Sequence, residues 1–202
     1  MLLCCGYAVA QKKCSTDNRL GVGVEGTYFA IANPEVQVTG KLGWAAGVES
    51  RGPIHPDWDL AIGMQFFSHA FSVREALTMD EIEMRIIGAQ VKLLFAYQPL
   101  RSDFLSLELG TAISFNGELK VRELDYESSI IDGDGAVVMQ SFQQTSPMNI
   151  YTITGISLGS TKTRFVANYN YALLDGLNGK NASSEDLNGN MSHLSLGMRY
   201  YF

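Results

Sequence analysis

Apolar and polar positions alternate along most of the chain, most plainly at its end. There Leu194, Leu196, Met198, Tyr200 and Phe202 interleave with His193, Ser195, Gly197, Arg199 and Tyr201. A period of two predicts a β-strand with two chemically different faces. The same split sets Phe165, Ala167, Tyr169, Tyr171 and Leu173 against Arg164, Asn168 and Asn170, and Leu105, Leu107, Leu109, Ile113 and Phe115 against Ser106, Glu108, Gly110, Ser114 and Asn116. Upstream, Ile87, Ala89, Val91, Leu93, Phe95 and Tyr97 oppose Gln90 and Lys92, and Trp58, Leu60, Ile62, Met64 and Phe66 oppose Asp59, Gly63, Gln65 and His69. In the front part Val38, Leu42, Trp44, Ala46 and Val48 face away from Gln37, Thr39, Lys41 and Glu49, and Val22, Val24 and Tyr28 face away from Gly21, Gly23, Glu25 and Thr27. The stretch 150–158 is a strand by its β-branched content, with its facing left open. Eight strands result.

The connections after the second, fourth and sixth strands are compact: 52–56, 99–102 and 159–161. The long ones, 72–81, 118–146 and 175–190, hold much of the acidic, Asn and Gly content, and 75–84 has room for a helical turn. An up-and-down meander puts all the short turns at one end and the long loops at the other. This is the asymmetry of an eight-stranded antiparallel transmembrane β-barrel.

Composition narrows the choice. No stretch approaches the roughly 18 apolar residues of a membrane-spanning helix. Charged residues make up 18% of the chain, against about 25% in ordinary soluble domains. The net charge of −6 excludes a phosphate-backbone binder, so no nucleic acid is expected as a partner. A soluble lipocalin-like barrel around an apolar ligand would carry Lys and Glu on its polar phase. Here that phase is mostly Gly, Ser, Thr, Asn and Gln, which suits a narrow interior. The apolar phase then faces outer-membrane lipid. Its aromatics fall near strand ends, with Trp58, Phe95, Tyr97, Tyr200 and Phe202 toward the short turns and Tyr28, Phe66, Phe115, Tyr169 and Tyr171 toward the long loops, as two interfacial girdles would.

The scattered charges of the polar phase are expected to form a structural network of Glu25, Lys41, Gln65, Lys92, Glu108, Arg164 and Arg199 in the lumen. Glu25 and Glu108 would neutralise some of the four cations. Folding the fourth and fifth strands about Leu100 sets Lys92 opposite Glu108. A charged constriction of a narrow solute pore is the alternative, and an eight-stranded interior filled by its own side chains disfavours it.

Residues 1–10 read as the tail of a signal peptide ending in Ala8-Val9-Ala10, 11–19 as an N-terminal segment and 20–202 as the barrel domain. Cleavage after Ala10 removes Cys4 and Cys5 and leaves Cys14 alone, so no internal disulfide is expected. The residues before Cys5 and Cys14 do not suit a lipoprotein signal. Gly21-Val22-Gly23-Val24-Glu25-Gly26 matches a dinucleotide fingerprint only in spelling, because no helix follows it. His193-Leu194-Ser195 has the His-x-Ser of an outer-membrane lipid A deacylase, but lies on the lumen phase with no acidic residue after it. His69 and His55 stand apart, without metal-ligand spacing. Asp132-Gly133-Asp134-Gly135 is part of a calcium loop at most and reads as a tight turn. Asn181-Ala182-Ser183 and Asn190-Met191-Ser192 fit a glycosylation pattern by composition alone. No catalytic residue, metal or cofactor is expected, and the chain is not read as an enzyme.

Several of these pieces together resemble the PorT-like outer-membrane β-barrel proteins, near the OmpA/OmpX-type small barrels. They are the glycine-rich first strand from Gly21, Lys41-Leu42-Gly43-Trp44-Ala45-Ala46-Gly47, Trp58-Asp59-Leu60-Ala61-Ile62-Gly63, the hairpin spanning 91–110, Asn168-Tyr169-Asn170-Tyr171-Ala172-Leu173 and the terminal Leu196-Gly197-Met198-Arg199-Tyr200-Tyr201-Phe202. The resemblance covers most of 20–202. It implies an exported protein of a Gram-negative outer membrane, with Phe202 read by the barrel-assembly machinery. The resemblance carries no specific role; the role read for the chain itself is structural, or interaction with a surface partner through exposed loops 118–146 and 175–190.

Overall fold

The computed structural model describes residues 18–32, 36, 38–100, 104–121, 130–132, 137–139, 143, 145–177 and 189–202. The leader 1–10 with its cleavage point, Cys4, Cys5 and Cys14, most of the 175–190 loop with Asn181, and the 133–135 part of the acidic turn lie outside these residues.

Eight long strands carry the fold: β1 (Arg19–Ala32), β2 (Val38–His55), β3 (Trp58–Arg74), β4 (Glu81–Tyr97), β5 (Leu105–Asn116), β9 (Met148–Gly159), β10 (Thr163–Asp175) and β11 (Asn190–Tyr201). Three two-residue strands, β6 (Lys120–Val121), β7 (Ile130–Ile131) and β8 (Val137–Val138), belong to the connection between β5 and β9. Each long strand pairs antiparallel with its neighbour, and β1 pairs with β11 from Gly21↔Tyr201 to Ala32↔Asn190. The sheet therefore closes on itself as an eight-stranded antiparallel barrel, which leaves no edge along its wall. No described helix is long and apolar enough to cross a membrane.

The outer surface is an apolar band. Leu42 is 80% exposed, Phe165 63%, Val24 and Leu109 60% and Phe66 59%, values that in water would mark a large solvent-exposed apolar surface. In β4 the band runs from Ile87 to Tyr97. At about 3.4 Å per residue and a tilt of about 40° this gives a height of roughly 26 Å, close to the apolar band of outer-membrane barrels.

Several sequence expectations need correcting. β2 does not stop before the Gly52-Pro53 turn signal but continues through it, pairing Pro53 with Asp59. Pro is tolerated there beside an irregularity between Pro53 and His55. The helical turn expected over 75–84 is limited to one turn, with Met79 N–H donating to Glu75 O (3.2 Å), and goes no further. Glu75 N–H bonds Asp80 O (2.9 Å), closing a tight turn, and β4 starts at Glu81. A one-residue register shift between Lys41 and Trp44 flips the side-chain phase of β2 above it, so Val38 packs inward against the apolar core instead of facing out with Leu42.

The interior has two tiers. Toward the loop end Phe29, Ile31, Phe71, Val73, Met84, Ile86, Ile153 and Met191 point inward and are buried. They are joined by Leu119, Ile131, Val137 and Met139 from the β5–β9 connection and by Leu177. Thus the 118–146 segment, expected as an exposed loop, contributes side chains that cap the barrel mouth. Toward the turn end most of the large inward side chains are charged, with Ala61, Leu94, Ala96 and Val166 between them. The facing of β9 is now settled: Tyr151 and Ile153 point into the upper tier, Ser157 into the lower, and Ile156 and Leu158 outward.

Candidate functional site in the barrel interior

The lower tier collects Arg51, Lys92, Arg164 and Arg199 with Glu25, Glu49, Asp59 and Glu108, four cations and four carboxylates, each at most 6% exposed. With Gln65, Ser106 and Ser157, all eight barrel strands contribute. Arg51 donates from Nε to Asp59 Oδ2 (2.9 Å) and from Nη1 to Glu108 Oε1 (3.0 Å). Arg199 Nη1 reaches Glu108 Oε2 at 3.0 Å and Glu49 Oε2 at 3.4 Å, and its Nη2 reaches Glu25 Oε1 at 3.4 Å. Lys92 Nζ donates to Gln65 Oε1 (3.0 Å) and lies 3.4 Å from Glu25 and 3.7 Å from Glu49. Arg164 Nη2 donates to the hydroxyls of Ser106 (2.8 Å) and Ser157 (3.0 Å). The Tyr201 hydroxyl donates to Glu49. Gln98 adds a bond to Asp59 (2.8 Å).

Burying this many charges is tolerable because each meets opposite charges or hydroxyls at bonding distance, whereas removing one member leaves another uncompensated. Close packing of the long side chains depends on glycine. A Cβ at Gly197 would meet Glu25 Cα at 2.6 Å, and one at Gly63 would meet Lys92 Cε at 3.1 Å. The same holds for the fingerprint-like first strand, where a Cβ at Gly21 would strike the Tyr201 ring at 2.7 Å. These glycines make room inside a barrel and cradle no phosphate. The space left beside Glu25, Glu49, Lys92 and Arg199 is about 10 Å³, room for roughly one water.

Of the seven residues expected in the network, Glu25, Gln65, Lys92, Glu108, Arg164 and Arg199 are brought together here. Lys41 is not. It sits at the loop end of β2, above the phase flip, partly exposed and paired with Glu83 (3.0 Å) and Glu81 (3.4 Å) rather than with Glu25 or Glu108. The cross-strand partner of Lys92 is Ala112, and Glu108 faces Ala96. Lys92 therefore reaches toward β3, β1 and β2, and Glu108 is left to the two arginines. Sequence reasoning left Arg51, Glu49 and Asp59 out of the network. Glu49 and Asp59 lay on the polar phase, and Arg51 follows Glu49 by two positions, so continuing the alternation past the turn signal would have found it.

The aromatic residues expected in the two girdles all lie outward. Trp58 and Tyr97 pack with ring centroids 5.0 Å apart at the turn end, where Tyr200 meets Phe202 edge-on at 5.6 Å. Tyr169 and Tyr171 are 44% and 47% exposed near the loop end. His193 and Ser195 are buried in the interior, away from the lipid-facing surface that a lipid-cleaving site would need. His69 is not isolated: its ring lies 4.5 Å from that of His193, between the two tiers. No group of three or more potential metal ligands occurs among the described residues.

A closed eight-stranded antiparallel barrel with an apolar exterior and a charged, plugged interior is the architecture of the small outer-membrane β-barrels. The neisserial surface protein A (NspA) crystal structure shares this fold, with a TM-score of 0.52 at 12% identity over 91% of this chain and 97% of that one. Weaker likenesses are to OprG from Pseudomonas aeruginosa (TM-score 0.48, 12% identity, 92% and 95% covered) and to Ail of Yersinia pestis in complex with sucrose octasulfate (0.47, 13%, 92% and 97%). The sequence matches no protein-family model and no curated protein.

Proposed function

We propose that the chain is a small outer-membrane β-barrel protein whose role is structural or lies in interaction at the cell surface, through the structure at its loop end. The observation that carries this reading is the band of exposed Leu, Val, Ile, Phe, Trp and Tyr side chains around a closed barrel, at a height matching a membrane core. In this reading the partner of the band is outer-membrane lipid, and export depends on the leader ending at Ala10. Phe202, 72% exposed at the end of β11, is the residue offered to the barrel-assembly machinery. Placement among the PorT-like proteins belongs to the same proposal and rests on the segments quoted for it. No residue is assigned a catalytic role.

The solute-pore reading has less to support it, because the lower tier is filled by paired side chains and the upper by an apolar plug. A soluble ligand-binding barrel has the opposite distribution of polar and apolar faces. Folding the chain from Gln11 with and without detergent, and comparing unboiled with boiled samples on a gel, tests the proposal. A compact, heat-modifiable form only in detergent is expected. A monodisperse β-rich form without detergent refutes it.

A further inference from the structure

At the boundary between the tiers His69 from β3 and His193 from β11 lie ring against ring, with centroids 4.5 Å apart and planes 40° apart. His69 is stacked between Phe29 (4.8 Å, 8°) and Phe67 (4.5 Å, 19°), and His193 meets Tyr151 edge-on at 5.4 Å. Both histidines are 3% exposed. His69 Nδ1 shares a hydrogen bond with Thr27 Oγ1 (3.0 Å), whereas His193 Nδ1 is buried with no partner. Phe29 also touches Phe71 (5.8 Å), and both phenylalanines belong to the same apolar cluster as the cap residues Leu119, Ile131, Val137 and Met139, so the rings that enclose His69 are continuous with the cap's packing.

We propose that the His69–His193 pair is an acid-sensitive latch that keeps the cap seated on the barrel mouth. The cage of phenyl rings suits two uncharged imidazoles. A proton on either ring places a charge against the other ring, in surroundings that solvate it poorly. The titratable and charged groups facing the pair are few: Glu25 of β1, below His193, and Tyr151 of β9. Thr27 of β1 and Phe67 of β3 add no charge. Glu25 is already held by Lys92 and Arg199, at 3.4 Å each, so it offers the imidazoles little compensation. Relief comes from letting water reach the rings, which means loosening the residues above them. The lower tier, tied by eight buried charges, stays in place.

Hydrogen exchange of the full chain folded in detergent micelles, corrected for the intrinsic effect of pH, tests this. The proposal does not depend on the surface-interaction role. On going from about pH 7.5 to about pH 4.5, protection around Leu119, Ile131 and Val137 is expected to fall at least tenfold, while that around Leu93 to Tyr97 holds. The double variant His69→Phe with His193→Phe keeps the stacking and is expected to lose this pH dependence. An equal fall in the variant, or unchanged protection in the wild type, overturns the latch. Should the variant not fold, NMR of wild-type protein labelled at histidine decides. Two ring signals that titrate together with cap loosening support the proposal, and signals that stay constant while the cap loosens overturn it.

Discussion

Glu108 is shared by two arginines, with Arg51 Nη1 at 3.0 Å from one carboxylate oxygen and Arg199 Nη1 at 3.0 Å from the other. The arginines come from β2 and β11 and the carboxylate from β5 on the far wall, so this one side chain bridges the barrel's interior. All three are at most 2% exposed. Removing the carboxylate leaves two buried guanidinium groups with one anion fewer between them.

Glu108→Ala is therefore expected to destabilise the folded barrel by about 3–5 kcal/mol. Urea unfolding in detergent, followed by the loss of the compact gel form, measures this. A change under about 1 kcal/mol would show that Asp59, Glu49 and Glu25 suffice to compensate the two arginines, contrary to the account.

The two lysines once assigned to a single network separate cleanly. Lys92 is buried among Gln65, Glu25 and Glu49, whereas Lys41 pairs with Glu81 and Glu83 where all three side chains are about a third or more exposed. Solvent screening limits an exposed pair to about 1 kcal/mol or less. Lys41→Ala should thus change stability by less than about 1 kcal/mol and Lys92→Ala by about 3 kcal/mol or more, read in the same unfolding experiment. Equal effects would contradict the placement of Lys41 above the phase flip.

Two glycines on adjoining strands give a matched contrast. A Cβ at Gly197 would meet Val24 O at 2.2 Å and Glu25 Cα at 2.6 Å, while one at Gly26 has Leu196 O at 3.8 Å as its nearest neighbour. Gly197→Ala should cost about 1–3 kcal/mol, and Gly26→Ala should be neutral or slightly stabilising, because alanine narrows the unfolded ensemble. Comparing the two unfolding midpoints checks it.

Met79 is the one described non-glycine residue with positive φ, at 61°, in the turn between β3 and β4. The left-handed region costs an ordinary side chain roughly 1–2 kcal/mol. Met79→Gly relieves that strain at some entropic cost and is expected to raise stability by up to about 1 kcal/mol. A clear loss of stability would mean that the methionine side chain holds the turn.

The barrel was legible because its outer face imposes one simple rule, apolar at every second position, on seven of the eight strands; in 150–158 the outward phase includes Thr152 and Thr154, so its facing could not be read. The charged residues inside could be recognised as inward-facing, but their partners could not, since partnership depends on register. Placing the fold of the β4–β5 hairpin at Leu100 set Lys92 against Glu108, whereas the observed register gives Lys92↔Ala112. Lys41 escaped because a single extra residue between Lys41 and Trp44 inverts the phase, and alternation carries no mark of it. Arg51 escaped because Gly52-Pro53 reads as a turn. The apolar upper tier was hidden for another reason. At Phe66-Phe67 in β3 and Ile86-Ile87 in β4 two apolar residues stand side by side, one on each phase, where the inward phase turns apolar toward the loop end, and a rule expecting a polar interior has no place for the second residue. That doubling was the available signal.

The central claim is that the exposed apolar band meets lipid. The chain's two tryptophans, Trp44 and Trp58, lie on that band, 53% and 38% exposed, Trp44 toward the loop end and Trp58 at the turn end. Their fluorescence in vesicles of lipids brominated on the acyl chains reports the contact directly. Strong quenching of both, tested one at a time in Trp44→Phe and Trp58→Phe, is the predicted result. Folded protein whose tryptophans remain unquenched in brominated vesicles would contradict it.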